Sequence, residues 1–403
     1  MTVAAEARAR PARVIGAGLS GLAAAWHLAE RGFDVSVVEQ ASRPGGLIGT
    51  VETPHGPVET AANAFVWDAT VAEWFQRLDL HPIFPLAASR RRYILRNGVP
   101  RRWPLSIGES LTLAGRLSVA TLTRSRAASN GESMAAWGTR VIGTAATRWL
   151  LGPALQGIYA AAPDRLSARV VLAARRRGPR KMATPAGGMG QFTTRLYERL
   201  RDRRVRFEFE RHVDRIDIEA PTIVATNAPN AARLIAPHTA PLSRAIAAVK
   251  MSPLITVTMF FEPHPDDLHG FGLLFPSRSG VHALGVLFNA DIFDQRGSVR
   301  SETWIVGDRE AAMTTWDDDR VFESLAADRQ FVTGRNDVAL SRHITRWPQA
   351  IPVYDTQILD VAELQSTLPA WLGVTGNYLG RIGVAALLDQ ARIAAERIAL
   401  NNS

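Results

Sequence analysis

A glycine-rich segment near the start of the chain, Gly16-Ala17-Gly18-Leu19-Ser20-Gly21, constrains its fold more than any other feature. A short apolar strand ends just before it at Ile15, and residues 22–30 follow with the apolar spacing of a helix. Gly32 marks the end of that helix, and residues 33–39 have the apolar pattern of a second, buried strand. Strand, glycine turn, helix and strand in this order predict a βαβ unit that binds a dinucleotide.

Each glycine of the motif has a physical role in such a unit. Gly16 permits a tight turn, Gly18 lets the backbone approach a pyrophosphate, and Gly21 lets the helix pack closely on the strand. The helix N-terminus then presents free N–H groups and a partial positive charge to the phosphates. Glu39 ends the second strand, where a carboxylate accepts hydrogen bonds from ribose hydroxyls and disfavours the 2′-phosphate of NADP. A glycine turn that merely packs a helix is the alternative, and the complete βαβ pattern argues against it.

The residues that follow Glu39 favour FAD over NAD. Arg43-Pro44-Gly45-Gly46 completes the spacing E-x3-R-x-G-G. In this spacing the arginine can reach back to the pyrophosphate, and the glycine pair brings the backbone close to the flavin side of the cofactor. A plain surface turn would use the same residue types. We predict bound FAD.

Composition excludes several kinds of chemistry. The chain has no cysteine, so disulfides, thiolate metal sites, iron–sulfur clusters and cysteine nucleophiles are all excluded. Its net charge of +9 comes almost entirely from arginine, since Lys181 and Lys250 are the only lysines. No basic patch is interleaved with aromatic residues, so we predict no nucleic-acid partner. Residues 264–269 and 317–319 contain metal-binding residue types, but a polar turn and a helix N-cap explain them better, and we predict no metal site.

In the middle of the chain the residue pattern changes first to helical spacing and then back to strands. This order indicates a nucleotide-binding domain built from separated segments. The predicted elements are a β-hairpin at 91–103 with its turn at Asn97-Gly98, helices between 103 and 162, strands at 205–218, 254–261 and 281–288, and a strand, glycine turn and helix within 359–399. We predict an α/β fold, α+β overall, with a Rossmann-like FAD-binding domain, a mixed-sheet substrate domain and an inserted helical domain. The predicted domains are 1–85, 175–237 and 355–403 for FAD, 86–103 and 238–354 for substrate, and 104–174 for the helices.

In these features the chain resembles the flavin-containing amine oxidase superfamily and, within it, the protoporphyrinogen oxidase family. The landmarks occur in family order over nearly the whole chain. They are Gly157-Ile158-Tyr159-Ala160 with Pro163, Leu166 and Ser167; Gly187-Gly188-Met189-Gly190; Gly270-Phe271-Gly272 with Pro276, Leu284-Gly285 and Phe288; Arg346 to Pro352 with Tyr354; and Gly376-Asn377-Tyr378 with Gly380, Gly383 and Val384.

The resemblance implies an oxidase that dehydrogenates a porphyrinogen to a porphyrin, with flavin as hydride acceptor and oxygen as oxidant. It implies that Val213, in the strand after the helices, contacts adenine, and that Gly383 and Val384 lie beneath the flavin. Arg92 would pair with a propionate, and Phe271 and Phe288 would line the pocket over the flavin. The alternative for Arg92 is a solvated member of a run of three arginines. The complete set expected at the cofactor is Gly16, Gly18, Leu19, Ser20, Gly21, Glu39, Gln40, Arg43, Gly45, Gly46, Leu47, Val213, Gly376, Ile382, Gly383 and Val384.

Departures from the family pattern leave the substrate open. Asp355-Thr356-Gln357 stands where the family has a Gly-His pair, Val306-Gly307-Asp308-Arg309 replaces a Gly-Gly-x-Arg segment, and Ala161 replaces a glycine. A paralogue with another substrate, an amine oxidase, a carotenoid-type desaturase and a non-catalytic lipid- or partner-binding protein are the alternatives. An amine oxidase would hold a lysine mid-strand near the flavin, and neither Lys181 nor Lys250 has that position, which argues against this activity.

The helical region carries an expectation of its own. Apolar side chains mixed with arginines suit a helix that lies on an anionic membrane, and the resemblance implies peripheral attachment there. Packing within the helical domain explains the same pattern, so both interpretations stay open, as does a homodimer. The residues concerned are Trp103, Leu105, Ile107, Leu111, Leu113, Leu117, Leu122 and Trp149. No segment has the composition of a transmembrane helix or a secretory signal, so we expect a cytoplasmic protein, with the inner face of the cell membrane as its site of attachment.

Overall fold

The computed structural model describes residues 10–173, 181–380 and 383–401, with the backbone but not the side chains of 308 and 309. Its strands are β1 Pro11–Ile15, β2 Asp34–Val38, β3 Thr50–Thr53, β4 Gly56–Glu59, β5 Phe65–Trp67, β6 Pro82–Ile83, β7 Arg92–Arg96, β8 Val99–Arg101, β9 Lys181–Pro185, β10 Arg206–Glu208, β11 Thr222–Val224, β12 Met251–Phe261, β13 Gly272–Leu274, β14 Gly285–Phe288, β15 Arg300–Val306, β16 Ser341–Pro352 and β17 Leu372–Val374.

Helices account for much of the remaining chain. They are α1 Leu19–Glu30, α2 Ala69–Arg77, α3 Ile107–Leu122, α4 Met134–Val141, α5 Thr144–Ala146, α6 Gly152–Tyr159, α7 Ala168–Ala173, α8 Gly188–Asp202, α9 Ala228–Ile235, α10 Ala240–Ala248, α11 Asn289–Ile292, α12 Asp318–Thr333, α13 Gln357–Leu364 and α14 Val384–Asn401. A π-helical turn at Thr147–Leu151 joins α5 to α6. In the described part of the chain, none of these helices is both long and apolar enough to cross a membrane.

The first large sheet is parallel and has the order β10-β2-β1-β11-β17. Its strands come from three separated stretches of sequence, and α1 packs between α14 and α8 on it. The βαβ unit is as predicted, except that α1 already begins at Leu19; Gly32 follows α1 with a φ of 80°. This sheet confirms the predicted Rossmann-like fold built from discontinuous segments. The exact domain boundaries stay a prediction.

The prediction of a strand over 205–218 is wrong beyond Glu208. The segment that follows is rich in charge, and Glu210 adopts a φ of 56°, which takes the chain out of the sheet. Val213 therefore lies in a loop instead of a strand. The strand predicted at 281–288 is likewise shorter, because the N–H groups of His282 and Ala283 turn to the carboxylate of Asp328 before β14 begins.

The second large sheet has the order β16-β12-β15-β14-β13-β7-β8. The predicted hairpin forms its edge as β7 and β8, and its turn has Asn97 and Gly98 at φ 53° and 75°, the conformation that an Asn-Gly pair favours. The sheet is mixed, since β13 pairs with β7 in parallel and with β14 in antiparallel fashion. Side chains alternate between its two faces. One face is buried against α12 through Val321, Phe322 and Leu325.

Helices α3 to α7 form the predicted helical region, and α3 is its least buried member. Its N-terminus is a capping box in which Ser106 and Glu109 exchange hydrogen bonds. Arg96 of β7 binds Glu109 with two N–O distances of 2.6 and 3.0 Å, and this hydrogen-bonded pairing lowers the pKa of Glu109 to about 2. Only Ala120 of α3 is buried. The helix is thus fixed at its first turn while most of its length faces outward.

Candidate functional site

A cavity of about 690 Å³ lies where the carboxyl ends of the parallel strands meet β16 of the second sheet. The parallel sheet supplies the glycine turn, the end of β2 and the residues after β11, and β16 supplies Trp347, Pro348 and Gln349. In open parallel sheets, ligands bind at this edge. The position therefore suits a dinucleotide whose far end reaches the second sheet.

The glycine turn has the shape that a pyrophosphate requires. Gly16 has a φ of 106°, and a Cβ there would lie 2.6 Å from the carbonyl oxygen of Ala225. A Cβ at Gly21 would lie 1.8 Å from the oxygen of Gly16, so this glycine permits the close packing of α1. At Gly18 the φ is −68°, and a Cβ would meet only the Cα of Gly46, at 3.9 Å. The space beside Gly18 is thus open towards the cavity.

The N-terminus of α1 faces this space without a side-chain cap. Its N-cap residue is Gly18, and no side chain in the described ranges accepts a hydrogen bond from its first turn. Several other helices have a side-chain cap, as α2 has from Asp68 and α12 from Asp317. An uncapped N-terminus leaves backbone N–H groups and a partial positive charge for an anion.

Glu39 and Arg43 lie on the two sides of the turn. Glu39 accepts hydrogen bonds from the N–H groups of Ala17, at 2.6 Å, and Ala41, at 2.8 Å. The exposed guanidinium of Arg43 folds back on the residues that follow it and donates to the carbonyls of Pro44 and Gly46. A carboxylate at the ribose position and an exposed arginine, whose described partners are backbone carbonyls, beside an open glycine turn fit the ADP half of FAD.

The structure brings most of the predicted cofactor residues to this one cavity. Those lining it are Gly16, Gly18, Leu19, Ser20, Glu39, Gln40, Arg43, Gly45, Gly46, Leu47, Val213 and Gly376. Gly21 lies behind the turn as a packing residue. Gly383 and Val384, at the start of α14, are not among the described lining residues, and Ile382 lies outside the described residues. The individual roles stay predictions.

Sequence reasoning missed the group of lining residues contributed by α9 and the segment before it. Thr226, Asn227, Asn230 and Arg233 belong to this group, and Arg233 holds the Val213 loop through the carbonyls of Val213 and Asp214. The signal was the short run of small and polar residues directly after the buried strand β11. Because that run lacks a glycine motif, it did not stand out.

The three predicted substrate residues do not lie together in the structure. The guanidinium of Arg92 lies 4.5 Å from the ring centroid of Phe271, so these two meet. Phe288 points to the opposite, helix-covered face, where it is buried and stacks with Arg300 at 4.1 Å. Strand alternation places Leu287 on the face of Arg92 instead, because Leu287 pairs with Gly272 and Gly272 pairs with Arg92. None of the three predicted residues is among the described residues that line the cofactor cavity.

The sheet face that carries Arg92 and Leu287 is turned towards the cofactor cavity. Trp347 lines that cavity, and the pairing of Trp347 with Leu254 and of Thr256 with Ile305 assigns these residues to the same face. Its central apolar side chains are only half buried, unlike those of the helix-covered face. They are Ile94, Leu254, Leu274, Leu287 and Ile305. This apolar wall with Arg92 at its edge suits a flat ligand that carries carboxylates.

A parallel sheet with an uncapped glycine turn, joined to a mixed sheet with an apolar wall, has the features expected of an enzyme that uses FAD. The sequence profile of the flavin containing amine oxidoreductase family matches residues 19–398, and the chain belongs to this family. FAD is its cofactor, as predicted.

Relatives agree with this assignment. The chain is 28% identical to the coproporphyrinogen III oxidase of Mycobacterium bovis, over 94% of this chain and 95% of that protein. It is 25% identical to the protoporphyrinogen oxidase 2 of Arabidopsis thaliana, over 96% of this chain and 93% of that protein. Among solved structures, a protein from Exiguobacterium provisionally called a protoporphyrinogen oxidase superposes with a TM-score of 0.82 at 17% identity, covering 97% of this chain and 99% of that one.

Proposed function

We propose that this enzyme oxidises a porphyrinogen to a porphyrin in haem biosynthesis, with oxygen as the final oxidant. The observation that carries the proposal is the apolar wall facing the cofactor cavity, with the guanidinium of Arg92 held over Phe271 at its edge. A porphyrinogen presents a broad apolar macrocycle with carboxylates on its rim, so both features are matched. The names of the two sequence relatives support the same class of substrate.

Bound FAD supplies the hydride acceptor for such a reaction. The chain's own part is to bind and orient the macrocycle. Gly272 and Gly285 add no side chain to the wall, and only glycine fits at 272, where a Cβ would lie 2.1 Å from the backbone oxygen of Val286. Helix α6 covers one end of the wall, where a Cβ at Gly157 would lie 2.9 Å from Leu274. The landmark glycines of the sequence thus shape the space above the apolar wall.

Amine oxidation is the main rival activity, and the lysines argue against it. Lys250 is exposed and precedes β12, and Lys181 is exposed at the start of β9. Neither stands mid-strand on the wall, and the sequence contains no other lysine. A desaturase needs the same apolar wall but no carboxylate partner, so Arg92 favours the porphyrinogen. A non-catalytic role is set aside by membership of an oxidoreductase family.

Arg92→Ala tests the substrate assignment. We expect the apparent KM for a porphyrinogen to rise about tenfold, because a charge-assisted, bidentate contact to one carboxylate is lost. The measurement is the steady-state rate of porphyrin formation from protoporphyrinogen and coproporphyrinogen in air, beside anaerobic reduction of the flavin by each substrate, both monitored by visible absorbance. Bound FAD should be unchanged, since Arg92 does not line the cofactor cavity.

Arg91→Ala is the matched control for that experiment. Arg91 is also exposed and adjacent, and its described contact with the neighbouring segment is through its backbone carbonyl, which accepts the N–H of Phe271. If both variants raise the KM equally, general surface charge explains the effect. If Arg92→Ala loses FAD instead, the substrate role is wrong. Reduction by an amine and not by either porphyrinogen would overturn the proposed function itself.

The proposal includes peripheral contact of α3 with an anionic membrane. Ile107, Leu111 and Leu122 are 83%, 68% and 85% exposed, and their spacing places them on one side of the helix. Arg124 and Arg126 follow at its end. An exposed apolar stripe next to arginines is the pattern of a helix that lies in a membrane interface.

Liposome sedimentation at low salt tests this contact. We expect the wild-type protein to pellet with anionic liposomes. The double variant Ile107→Ser/Leu111→Ser should bind at least about tenfold more weakly, because it lacks two exposed aliphatic side chains that would insert into the membrane interface. The control is Ile218→Ser/Val338→Ser, which removes two exposed apolar side chains elsewhere. Equal binding of both double variants, or no wild-type pelleting, would contradict the proposal.

A further inference from the structure

A buried ion pair joins the two-stranded β3–β4 hairpin to the loop that precedes β15 of the second large sheet. Arg296, in the segment between α11 and β15, donates to the carboxylate of Glu59 on β4 at 2.6 Å, and their side chains are 6% and 2% exposed. Arg296 also donates to the hydroxyl of Thr184 at 3.2 Å. A buried pair of this kind seldom adds net stability, since desolvation offsets the attraction. Its presence therefore calls for a role other than stability.

The β3–β4 hairpin and the segment that holds Arg296 are also tightly packed through their backbones. A Cβ at Gly297 would lie 2.3 Å from the carbonyl oxygen of His55, and a Cβ at Gly56 would lie 2.8 Å from the oxygen of Arg296. The ring of His55 in turn packs on Phe260 of β12, with 5.8 Å between centroids. The β3–β4 hairpin is thus seated directly on the second sheet, with little freedom to shift.

Glu59 also organises the start of α8, whose N-cap residue, Gly187, offers no side-chain cap. One carboxylate oxygen accepts the N–H of Met189 at 2.9 Å. The other accepts the hydroxyl of Thr50 at 2.8 Å, and that hydroxyl accepts the N–H of Gly190 at 2.8 Å. Glu59 therefore acts as a distant cap whose negative charge is well placed at a helix N-terminus.

Thr193, in the second turn of α8, connects this helix to the cofactor loop. The hydroxyl of Thr193 donates to the carbonyl of Gly190 at 3.0 Å, and a Cβ at Gly45 would lie 3.0 Å from that hydroxyl. Gly45 has a φ of 106° and lines the cofactor cavity together with Arg43. A shift of α8 would therefore move the loop that contacts FAD.

We propose that Glu59 and Arg296 are a positioning pair, which fixes the Arg43–Gly46 loop for FAD by way of the first turn of α8. The packing of the second sheet on the β3–β4 hairpin then affects how tightly the protein binds FAD. The pair touches neither FAD nor substrate, so its effect is on cofactor affinity. The inference concerns FAD and holds whichever molecule the enzyme oxidises.

The test is the affinity of the protein for FAD, measured by reconstitution of flavin-stripped protein and the quenching of flavin fluorescence. Glu59→Gln, Arg296→Met and Thr50→Val should each raise the Kd for FAD on the order of 10-fold, the size of effect that supporting residues have at other sites. Thr50→Val changes only the bridging hydroxyl and keeps the shape of the side chain, so it tests the connection even if the charge variants fold poorly. Thr50→Ser should restore the wild-type Kd.

Asp267→Asn is the matched control. Asp267 is also a buried carboxylate paired with an arginine, Arg335, at 2.6 Å, but it lies in the turn after β12 and does not contact α8. It should lower the Tm of the protein and leave the Kd for FAD within about twofold of wild type. The proposal is overturned if Glu59→Gln and Thr50→Val lower the Tm without changing the Kd. It is equally overturned if Asp267→Asn weakens FAD binding as much as they do.

Discussion

Gly18→Val is expected to weaken FAD binding on the order of 10- to 100-fold while leaving the fold intact. The φ of −68° at Gly18 is open to any residue, so the new side chain introduces no backbone strain. A Cβ there would meet only the Cα of Gly46 at 3.9 Å within the protein. The added methyl groups would instead occupy the space between the glycine turn and the N-terminus of α1, where the pyrophosphate is expected.

The measurement is the visible absorbance of flavin retained on purification, with the Kd for FAD and the Tm of the flavin-free protein. Gly32→Ala is a suitable control, because Gly32 is a glycine of the same βαβ unit that does not line the cofactor cavity. The added Cβ would have no atom within 4 Å, but the φ of 80° strains alanine, so the Tm should fall. It should retain FAD. If Gly18→Val also retains FAD with unchanged Kd, the pyrophosphate does not lie against this turn.

The βαβ unit could be predicted because its constraints are local. Gly16, Gly21 and Glu39 act within a stretch in which each residue is required by a neighbour, so the spacing alone determines the geometry. The hairpin at Asn97-Gly98 is a similar case, since the turn conformation follows from two adjacent residues. Both predictions are confirmed.

The substrate wall could not be derived in the same way. Residues 284–288 are apolar or glycine throughout, so the sequence does not show which of Leu287 and Phe288 points to the cavity. The choice depends on pairing with Gly272 of a neighbouring strand. The pair Glu59 and Arg296 could not be predicted from any local pattern, because 237 positions separate the two residues. Val213 was placed in the wrong element, since a charged loop here replaces the expected strand.

The largest loss of stability is expected from Glu302→Ala, at about 2–3 kcal/mol, because Arg300 and Arg329 lose a buried acceptor while Asp291 and Asp337 stay as their other partners. Glu302 lies on the helix-covered face of the second sheet, where its carboxylate accepts from Arg300 at 3.0 Å, Arg329 at 3.1 Å and the indole N–H of Trp304 at 3.2 Å. The side chains of Glu302, Arg300 and Arg329 are 4%, 6% and 3% exposed. Removing the one carboxylate that all three donors share leaves two buried guanidinium groups and an indole without that acceptor.

Urea unfolding of the purified protein measures this loss, and Glu302→Gln separates its causes. Glutamine keeps an acceptor oxygen for one or two of the donors but removes the charge, so its cost should be smaller than that of alanine. Neither variant should alter the Kd for FAD, because Glu302 faces α12 and not the cofactor cavity. A loss below about 1 kcal/mol for Glu302→Ala would mean that water replaces the carboxylate, and that this face of the sheet is less tightly closed than its burial indicates.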